Sequence, residues 1–231
     1  MEITYFGHAC FGIKTDKVRL IIDPFITANE LARNIDVNKI KVDYILVTHA
    51  HSDHILDVEI VAKNNPDATI LSNVEIANHY SALGYKVIGM NIGGVKKFDF
   101  GKIKMINAVH SSSFPDGKYG GQPAGFLLKM DGKVVYHAGD TALSFDMRCL
   151  PYVYGYINVA ILPIGNHYTM GVYDAISASK FVGTRNIIAS HYDTFPEIKV
   201  NKEKALAAFL SEEKKLTFIP IGETVDVEQF V

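Results

Sequence analysis

Short apolar runs, rich in β-branched and aromatic residues, recur along the chain and predict β-strands. The clearest of these runs are ITYF, CFGIKT, VRLIID, VDYILVTH, ATILSN, KIKMINAVH, GFLLKM, KVVYHAG, INVAILPIG, NIIASHY and LTFIPI. Apolar residues spaced three or four positions apart predict helices in HILDVEIVAKN, NVEIANHYSALG, VYDAISASKFVG and KEKALAAFLSEE. Strands come first and then alternate with helices, so we predict a mixed α/β fold with several antiparallel hairpins.

The order of these elements is repeated along the chain. Residues 3–23 and 104–140 each read as strand, His, hairpin, strand and Asp. Each segment then continues into an apolar strand, a polar loop and a helix. We therefore expect two similar halves, roughly 1–100 and 101–231, packed together in one domain that spans residues 1–231.

Composition narrows the classes of partner. The 23 Lys and Arg balance 25 Asp and Glu, so the net charge of -2 gives no basic field and disfavours nucleic acid. We expect no signal peptide in MEITYFGHACF and no membrane span, because no apolar stretch approaches roughly 20 residues. Cys10 and Cys149 stand far apart, which indicates a reducing compartment rather than a disulfide scaffold. We expect a cytoplasmic protein with a small-molecule substrate, and a homo-oligomer is compatible with the sequence.

The stretch THAHSDH carries the first sign of chemistry. His49 and His51 follow an apolar strand and can point the same way in an extended segment. Asp53 and His54 come next, on the first turn of a helix that we expect to begin near Ser52. Imidazole nitrogen and carboxylate oxygen together are typical ligands of zinc, manganese, iron or nickel. The stretch therefore predicts a metal site at the end of a strand.

Three more residues of the same chemical type follow other strands. His110 comes after KIKMINAV, Asp140 after KVVYHAG and His191 after NIIAS. Each lies where an apolar run meets polar residues, which is where sheet proteins gather their active sites. We predict that these three residues complete the metal site.

The ordered motif His-x-His-x-Asp-His, then His110, Asp140 and His191, resembles the metallo-β-lactamase superfamily. The stretches GHACF, IDPF, MNIGG, HSSSF, YHAGDT, LPIGNHYTMG and SHYDTFP are similar to its branch of metal-dependent hydrolases related to the ascorbate-6-phosphate lactonases. The resemblance covers essentially the whole chain. It implies a four-layer αβ/βα sandwich, in which two mixed sheets are flanked by helices and the metals lie at the sheet edges.

The same resemblance implies a dinuclear centre for two divalent ions, with zinc, manganese and nickel as the candidates. A hydroxide between the two metals would attack a small ester, lactone or phosphoester. The implied ligands are His49, His51 and His110 for the first metal, Asp53, His54 and His191 for the second, and Asp140 as the bridge.

Further residues are candidates for supporting roles. Asp53 would also take part in proton transfer. In the internal repeat His8 is aligned with His110, so we expect His8 to contact substrate or act as a general acid, although a turn residue is the alternative. Asp23 is a candidate to accept a hydrogen bond from a metal-bound histidine, or else forms an Asp-Pro turn. His137 either supports the ligands from behind or is simply buried.

Two loop residues are candidates for binding substrate. His167 lies in GNHYTMG, which the repeat aligns with the metal-binding loop. Lys118 lies in the Gly-rich stretch HSSSFPDGKYGGQPAG, where it could meet an anionic group or simply face solvent.

Three other functions compete with a small-molecule hydrolase. The first is a phosphodiesterase or nuclease acting on cyclic nucleotides or short nucleic acids. The second is a diiron redox protein of the same fold, but such proteins carry Glu at the position of His51. The third is a metal-binding protein without catalytic activity, which the complete set of ligands disfavours.

Overall fold

The computed structural model describes residues 1–230, which form two seven-stranded β-sheets. The first sheet has the strand order β14-β1-β2-β3-β4-β5-β6. Its strands are β1 (Glu2–Gly7), β2 (Cys10–Lys14), β3 (Arg19–Ile22), β4 (Tyr44–Leu46), β5 (Thr69–Asn73), β6 (Val87–Met90) and β14 (Thr224–Asp226). The second sheet has the order β13-β12-β11-β10-β9-β8-β7. Its strands are β7 (Val95–Phe98), β8 (Gly101–Asn107), β9 (Ala124–Met130), β10 (Lys133–His137), β11 (Val159–Pro163), β12 (Asn186–Ser190) and β13 (Lys215–Thr217).

The two sheets are built in the same way. From β1 to β6 the first two pairings are antiparallel and the next three are parallel. The pairings from β8 to β13 follow the same sequence. As a result, β1, β3, β4 and β5 end at one edge of the first sheet, and β8, β10, β11 and β12 end at one edge of the second. Every predicted ligand follows one of these strands.

Helices cover the outer faces of the sheets. They are α1 (Ser52–Ile55), α2 (Val58–Asn64), α3 (Val74–Ala82), α4 (Leu150–Tyr154), α5 (Val172–Phe181) and α6 (Lys202–Ser211). Helix α3 packs on β5 and β6, whereas α5 packs on β11 and α6 on β13. The predicted class, two mixed β-sheets flanked by helices, is confirmed.

Alternation along the strands decides which core each side chain joins. In β3, Leu20 and Ile22 belong to the large core that also contains Phe126 and Tyr136 of the second sheet. Ile21, between them, belongs to a separate core with residues of α2 and α3. Because side chains of a strand point alternately to its two faces, one sheet is buried on both sides.

Several elements differ from the pattern-based prediction. The predicted helix after THAHSDH is interrupted, because α1 ends at Ile55 and α2 begins at Val58. Its start agrees with the prediction, because α1 begins at Ser52, with His51 in the N-cap position. Strands β6, β7 and β14 and helix α4 were not predicted. Three of the four residues of β7 are exposed and two are lysines, so it lacks the buried face that a hydrophobic pattern reveals.

No helix among residues 1–230 is both long and apolar enough to cross a membrane.

Candidate metal centre

The predicted ligands lie where strands of the two sheets end next to each other. Backbone geometry there is unusual at three residues outside glycine. His8 follows β1, Asp23 follows β3 and His191 follows β12, with φ of 55°, 47° and 52°. Such left-handed conformations are uncommon for non-glycine residues and concentrate at functional sites. The backbone N–H of His191 donates to the carbonyl of His8 at 2.8 Å, which joins the two sheet edges.

One group of histidines encloses a small volume. His49 Nε2 and His51 Nδ1 face each other at 2.9 Å. The ring centroid of His110 lies 5.1 Å from that of either residue. One nitrogen from each of the three rings lies within 4.8 Å of the other two. This spacing suits three nitrogen ligands around one ion.

A second group lies beside the first. His8, Asp53, His54 and His191 each offer one atom, and these atoms lie within 4.8 Å of one another. Asp53 Oδ2 is 3.7 Å from His191 Nε2, 3.8 Å from His54 Nε2 and 3.0 Å from His8 Nε2. Three of these four residues are the ligands predicted for the second metal.

Asp140 lies between the two groups. Its Oδ2 atom is 2.9 Å from His191 Nε2 and 3.4 Å from His54 Nε2, both in the second group. The same oxygen is 3.6 Å from His110 Nε2, in the first group. Asp140 is buried, and one of its carboxylate oxygens lies near ring nitrogens of both groups.

Asp23 and Thr48 orient two of the histidines. Asp23 Oδ2 accepts hydrogen bonds from Thr48 Oγ1 at 2.6 Å and from His54 Nδ1 at 2.8 Å. Because the Thr48 hydroxyl donates to Asp23, it accepts from His49 Nδ1, which is 3.0 Å away. In the neutral form that binds a metal, both imidazoles therefore carry their proton on Nδ1 and present the Nε2 lone pair to the centre. Asp23 therefore contacts a predicted ligand directly, and its role behind a metal-bound histidine stays a prediction.

Burial and charge set different protonation states in the two groups. Burial lowers the pKa of His49, His51 and His110, although the Asp140 carboxylate opposes it at all three. These imidazoles are therefore neutral, which is the form that binds a metal.

The second group is held by ion pairs. Burial disfavours the charged form of His54 and His191, but carboxylates outweigh it and raise both pKa values, that of His191 to about 9. Burial likewise opposes ionisation of Asp53 and Asp140, but the neighbouring histidines hold both pKa values well below the usual range. In the metal-free protein the positive charges on His54 and His191 therefore balance the carboxylates of this group.

The donor set and two unpaired atoms fit divalent ions. Among the described residues, His54 Nε2 and Asp140 Oδ1 are buried without a hydrogen-bond partner. Buried polar atoms normally have a partner, and a metal ion supplies one for both of these. Nitrogen and carboxylate ligands without sulfur accept zinc, manganese or nickel.

The remaining predicted residues lie farther from the centre. Lys118 is exposed, its ammonium pairs with Asp116 at 2.7 Å, and it does not line the cleft beside the ligands. His167 is also exposed and packs on Tyr168, which does line that cleft. Substrate contact by Lys118 or His167 therefore stays a prediction that the geometry does not support directly.

His137 is buried away from the cleft. Its Nδ1 atom accepts a hydrogen bond from the Gly139 N–H at 3.2 Å, so it shapes the turn that presents Asp140. Gly139 has φ +65°, and a Cβ there would lie 2.5 Å from the carbonyl oxygen of Ala124. Only glycine fits this turn without strain.

His8 lies behind Asp53 rather than at the cleft surface. Its side chain is buried and does not line the cleft. Nε2 contacts Asp53 Oδ2 at 3.0 Å, and Nδ1 lies 2.9 Å from Thr194 Oγ1. Burial and the neighbouring His191 lower the pKa of His8 to about 4, so the ring is neutral. A catalytic role for His8 stays a prediction, and these contacts favour positioning of Asp53.

Sequence reasoning missed the residues that support the ligands from neighbouring positions. Thr48 precedes His49, and Ser111 follows His110 with its Oγ atom 3.3 Å from His51 Nε2. A hydroxyl residue next to a ligand was the available signal. Thr194 had no comparable signal, because the fold alone brings it to His8.

Two layers of helix around two sheets, with histidines and aspartates at their shared edge, define a metalloprotein of the metallo-β-lactamase fold. The family model for the beta-lactamase superfamily domain matches residues 2–191. A metal-dependent hydrolase of Flavobacterium johnsoniae is 49% identical over 227 residues, covering 98% of this chain and 100% of the relative. One from Christiangramia forsetii is 48% identical, with the same coverage. The chain belongs to the beta-lactamase superfamily and, within it, to the UPF0173 family of metal-dependent hydrolases.

Solved structures agree with this assignment. Igni18, a metallo hydrolase from Ignicoccus hospitalis, is 36% identical with a TM-score of 0.87, and 97% of each chain is covered. An isothiocyanate hydrolase from Delia radicum gut bacteria has a TM-score of 0.77 at 20% identity and 98% coverage of both chains, which shows the shared fold.

Proposed function

We propose that this protein is a dinuclear hydrolase that acts on a small ester, lactone or phosphoester. The observation that carries the proposal is the position of Asp140. Its Oδ2 atom lies within 3.6 Å of ring nitrogens from both histidine groups, as a ligand shared by two ions requires. We propose zinc, manganese or nickel as the ions, held by the seven residues assigned above.

Two bound divalent ions supply an activated water and polarise the scissile carbonyl or phosphoryl group. The protein supplies the rest. Asp53 is the partly exposed carboxylate at the cleft, so its oxygens can hold and pass a proton between water and a leaving group. In their neutral form, His54 and His49 carry the proton on Nδ1, which donates to Asp23 and Thr48 respectively, so Nε2 is the atom available to an ion.

His8 positions Asp53 in this proposal. A neutral His8 that accepts from the Thr194 hydroxyl at Nδ1 carries its proton on Nε2 and donates it to Asp53 Oδ2. This hydrogen bond occupies one lone pair of the carboxylate and restricts its rotation. The orientation of Asp53 toward the second ion then depends on a residue that does not contact substrate.

Hydrolysis assays of the purified protein test the proposal. The protein, loaded with manganese, nickel or zinc, is offered a lactone, a p-nitrophenyl phosphodiester and a β-lactam. We expect metal-dependent turnover of at least one carbonyl or phosphoryl substrate. Asp140→Ala should lower kcat/KM by at least about 100-fold and reduce the bound metal. Asp99→Ala, at an exposed position between β7 and β8, is the matched control. Full activity and full metal content in Asp140→Ala would refute the dinuclear centre.

A further inference from the structure

The cleft beside the ligands has two kinds of lining. Its volume is about 650 Å³. Five of the predicted ligands line it, so that part is polar. The rest includes four apolar residues, Phe25, Ala28, Phe195 and Pro196, which together we call the phenyl wall. The phenyl rings of Phe25 and Phe195 lie 6.4 Å apart, and each packs edge-on against His8 at 5.4 Å. The phenyl wall therefore adjoins the residue that holds Asp53.

The first loop of the phenyl wall is fixed before any ligand binds. Asp57 is wholly buried and accepts three hydrogen bonds from the loop that carries Phe25 and Ala28. The donors are the backbone N–H of Ile26 and both the N–H and the hydroxyl of Thr27. Asp57 also donates its own N–H to the carbonyl of Pro24.

The second loop, which carries Phe195, closes on itself. The backbone N–H of Asp193 donates to the carbonyl of Ile198 at 2.9 Å, and Asp193 Oδ1 accepts from the N–H of Val200 at 3.0 Å. A preformed apolar surface binds an apolar group without the cost of ordering two loops.

Apart from the histidines, all ionisable side chains of the carboxylate and amine types that line the cleft are acidic. Glu197 joins Asp53 and Asp140 in the lining, and among residues 1–230 no Lys or Arg lines the cleft. Glu197 is exposed, and it lines the cleft directly after Pro196 of the phenyl wall. Lys118, the cation that the sequence made a candidate for substrate contact, is already paired with Asp116.

We infer that the non-reacting part of the substrate is uncharged and apolar, about the size of a phenyl ring, and that the protein discriminates against a second anionic group there. The inference rests on the proposed function, because the reacting group must reach the ions for its remote part to reach the phenyl wall. It narrows the substrate class to esters, lactones and related carbonyl compounds with an aryl or alkyl substituent. A phosphoester fits only if its single phosphoryl group is the one that reacts. A sugar phosphate or nucleotide would leave an anion without a cation beside Glu197.

Binding of hydroxamic acids to the zinc-loaded protein tests this inference without turnover. A hydroxamate ligates the ions, so acetohydroxamic, 4-methylbenzohydroxamic and 4-carboxybenzohydroxamic acid differ only in the part that reaches the phenyl wall. Isothermal calorimetry gives each Kd. We expect the 4-methyl compound to bind at least about tenfold tighter than acetohydroxamic acid and than the 4-carboxy compound.

Two variants assign the preference to residues. Phe195→Ala should weaken the 4-methyl compound by about tenfold and leave acetohydroxamic acid unchanged. Glu197→Gln should reduce the discrimination against the 4-carboxy compound by about fivefold. Glu203→Gln, on an exposed position of α6, is the matched control and should change nothing.

The inference is overturned if the 4-carboxy compound binds as tightly as the 4-methyl compound, or if neither aryl compound binds better than acetohydroxamic acid. Unchanged discrimination in Glu197→Gln also contradicts it. Failure of the proposed function has a different signature, because the binding preferences would then hold while no ester, lactone or phosphoester is hydrolysed.

Discussion

Replacing Asp23 by Asn tests how the protein prepares its histidines for metal. The carboxylate of Asp23 is wholly buried and accepts from Thr48 N, Thr48 Oγ1 and His54 Nδ1. An Asn that keeps its oxygen toward Thr48 N turns its NH₂ group toward the other two donors. Donor would then face donor, and the favoured response is a His54 tautomer with its proton on Nε2. That tautomer cannot bind the second ion.

The expected magnitude follows from these contacts. Loss of a partner behind a metal-bound histidine costs about 10–100-fold in metal affinity, or ~1.4–2.8 kcal/mol. The free energy of unfolding of the metal-free protein should fall by ~1–3 kcal/mol, because a buried donor loses its acceptor. Calorimetric titration with zinc and elemental analysis of the loaded protein measure the first effect, and urea unfolding measures the second.

The structure offers a matched control. Asp57 is equally buried and also accepts three hydrogen bonds, but none of its donors belongs to a predicted metal ligand. Asp57→Asn should lose comparable stability and keep wild-type metal affinity. If Asp23→Asn binds two equivalents of zinc as tightly as the wild type, the proposed control of the His54 tautomer is refuted.

Three further changes have defined outcomes. At pH 6 zinc binding should release about two protons, from His54 and His191, because their raised pKa values keep both residues charged in the metal-free protein. The affinity for zinc should therefore rise with pH toward about 9. Calorimetry in two buffers measures the proton release, and no release would contradict this prediction. His8→Leu should lower metal occupancy by about tenfold and His8→Gln should restore most of it, whereas a general acid would lose one limb of the pH–rate profile in both variants. Gly139→Ala should lower the free energy of unfolding, measured in urea, by more than ~1 kcal/mol relative to Gly132→Ala. Gly132 also has a positive φ, but a Cβ added there would have no atom within 4 Å.

The clustering of the predicted ligands could be foreseen because each of them follows a strand in the sequence. His49, His51, Asp53 and His54 lie within six consecutive positions after β4, and Asp140 follows a hairpin whose strands show clear apolar runs. Carboxyl ends of parallel strands meet at one edge, so placing each residue after a strand was enough to bring it near the others.

The cleft could not be predicted in the same way. Phe25 and Phe195 come from loops 170 positions apart in sequence, and no periodic pattern relates such loops. The sequence also made Lys118 a candidate anion contact beside the alternative that it faces solvent, because its pairing with Asp116 depends on loop geometry that the sequence does not show. His8 was identified by the internal repeat, but its burial behind Asp53 depends on side-chain packing.

The central claim is that Asp140 joins two metal ions in one site. Anomalous scattering from crystals of the manganese- or zinc-loaded protein, recorded on both sides of the metal's absorption edge, tests it most directly. We predict two peaks about 3.5–4 Å apart. One peak should lie beside His49, His51 and His110, and the other beside Asp53, His54 and His191. Each peak should be in contact with a carboxylate oxygen of Asp140. A single peak at full metal loading, or two peaks of which only one contacts Asp140, would contradict the dinuclear centre.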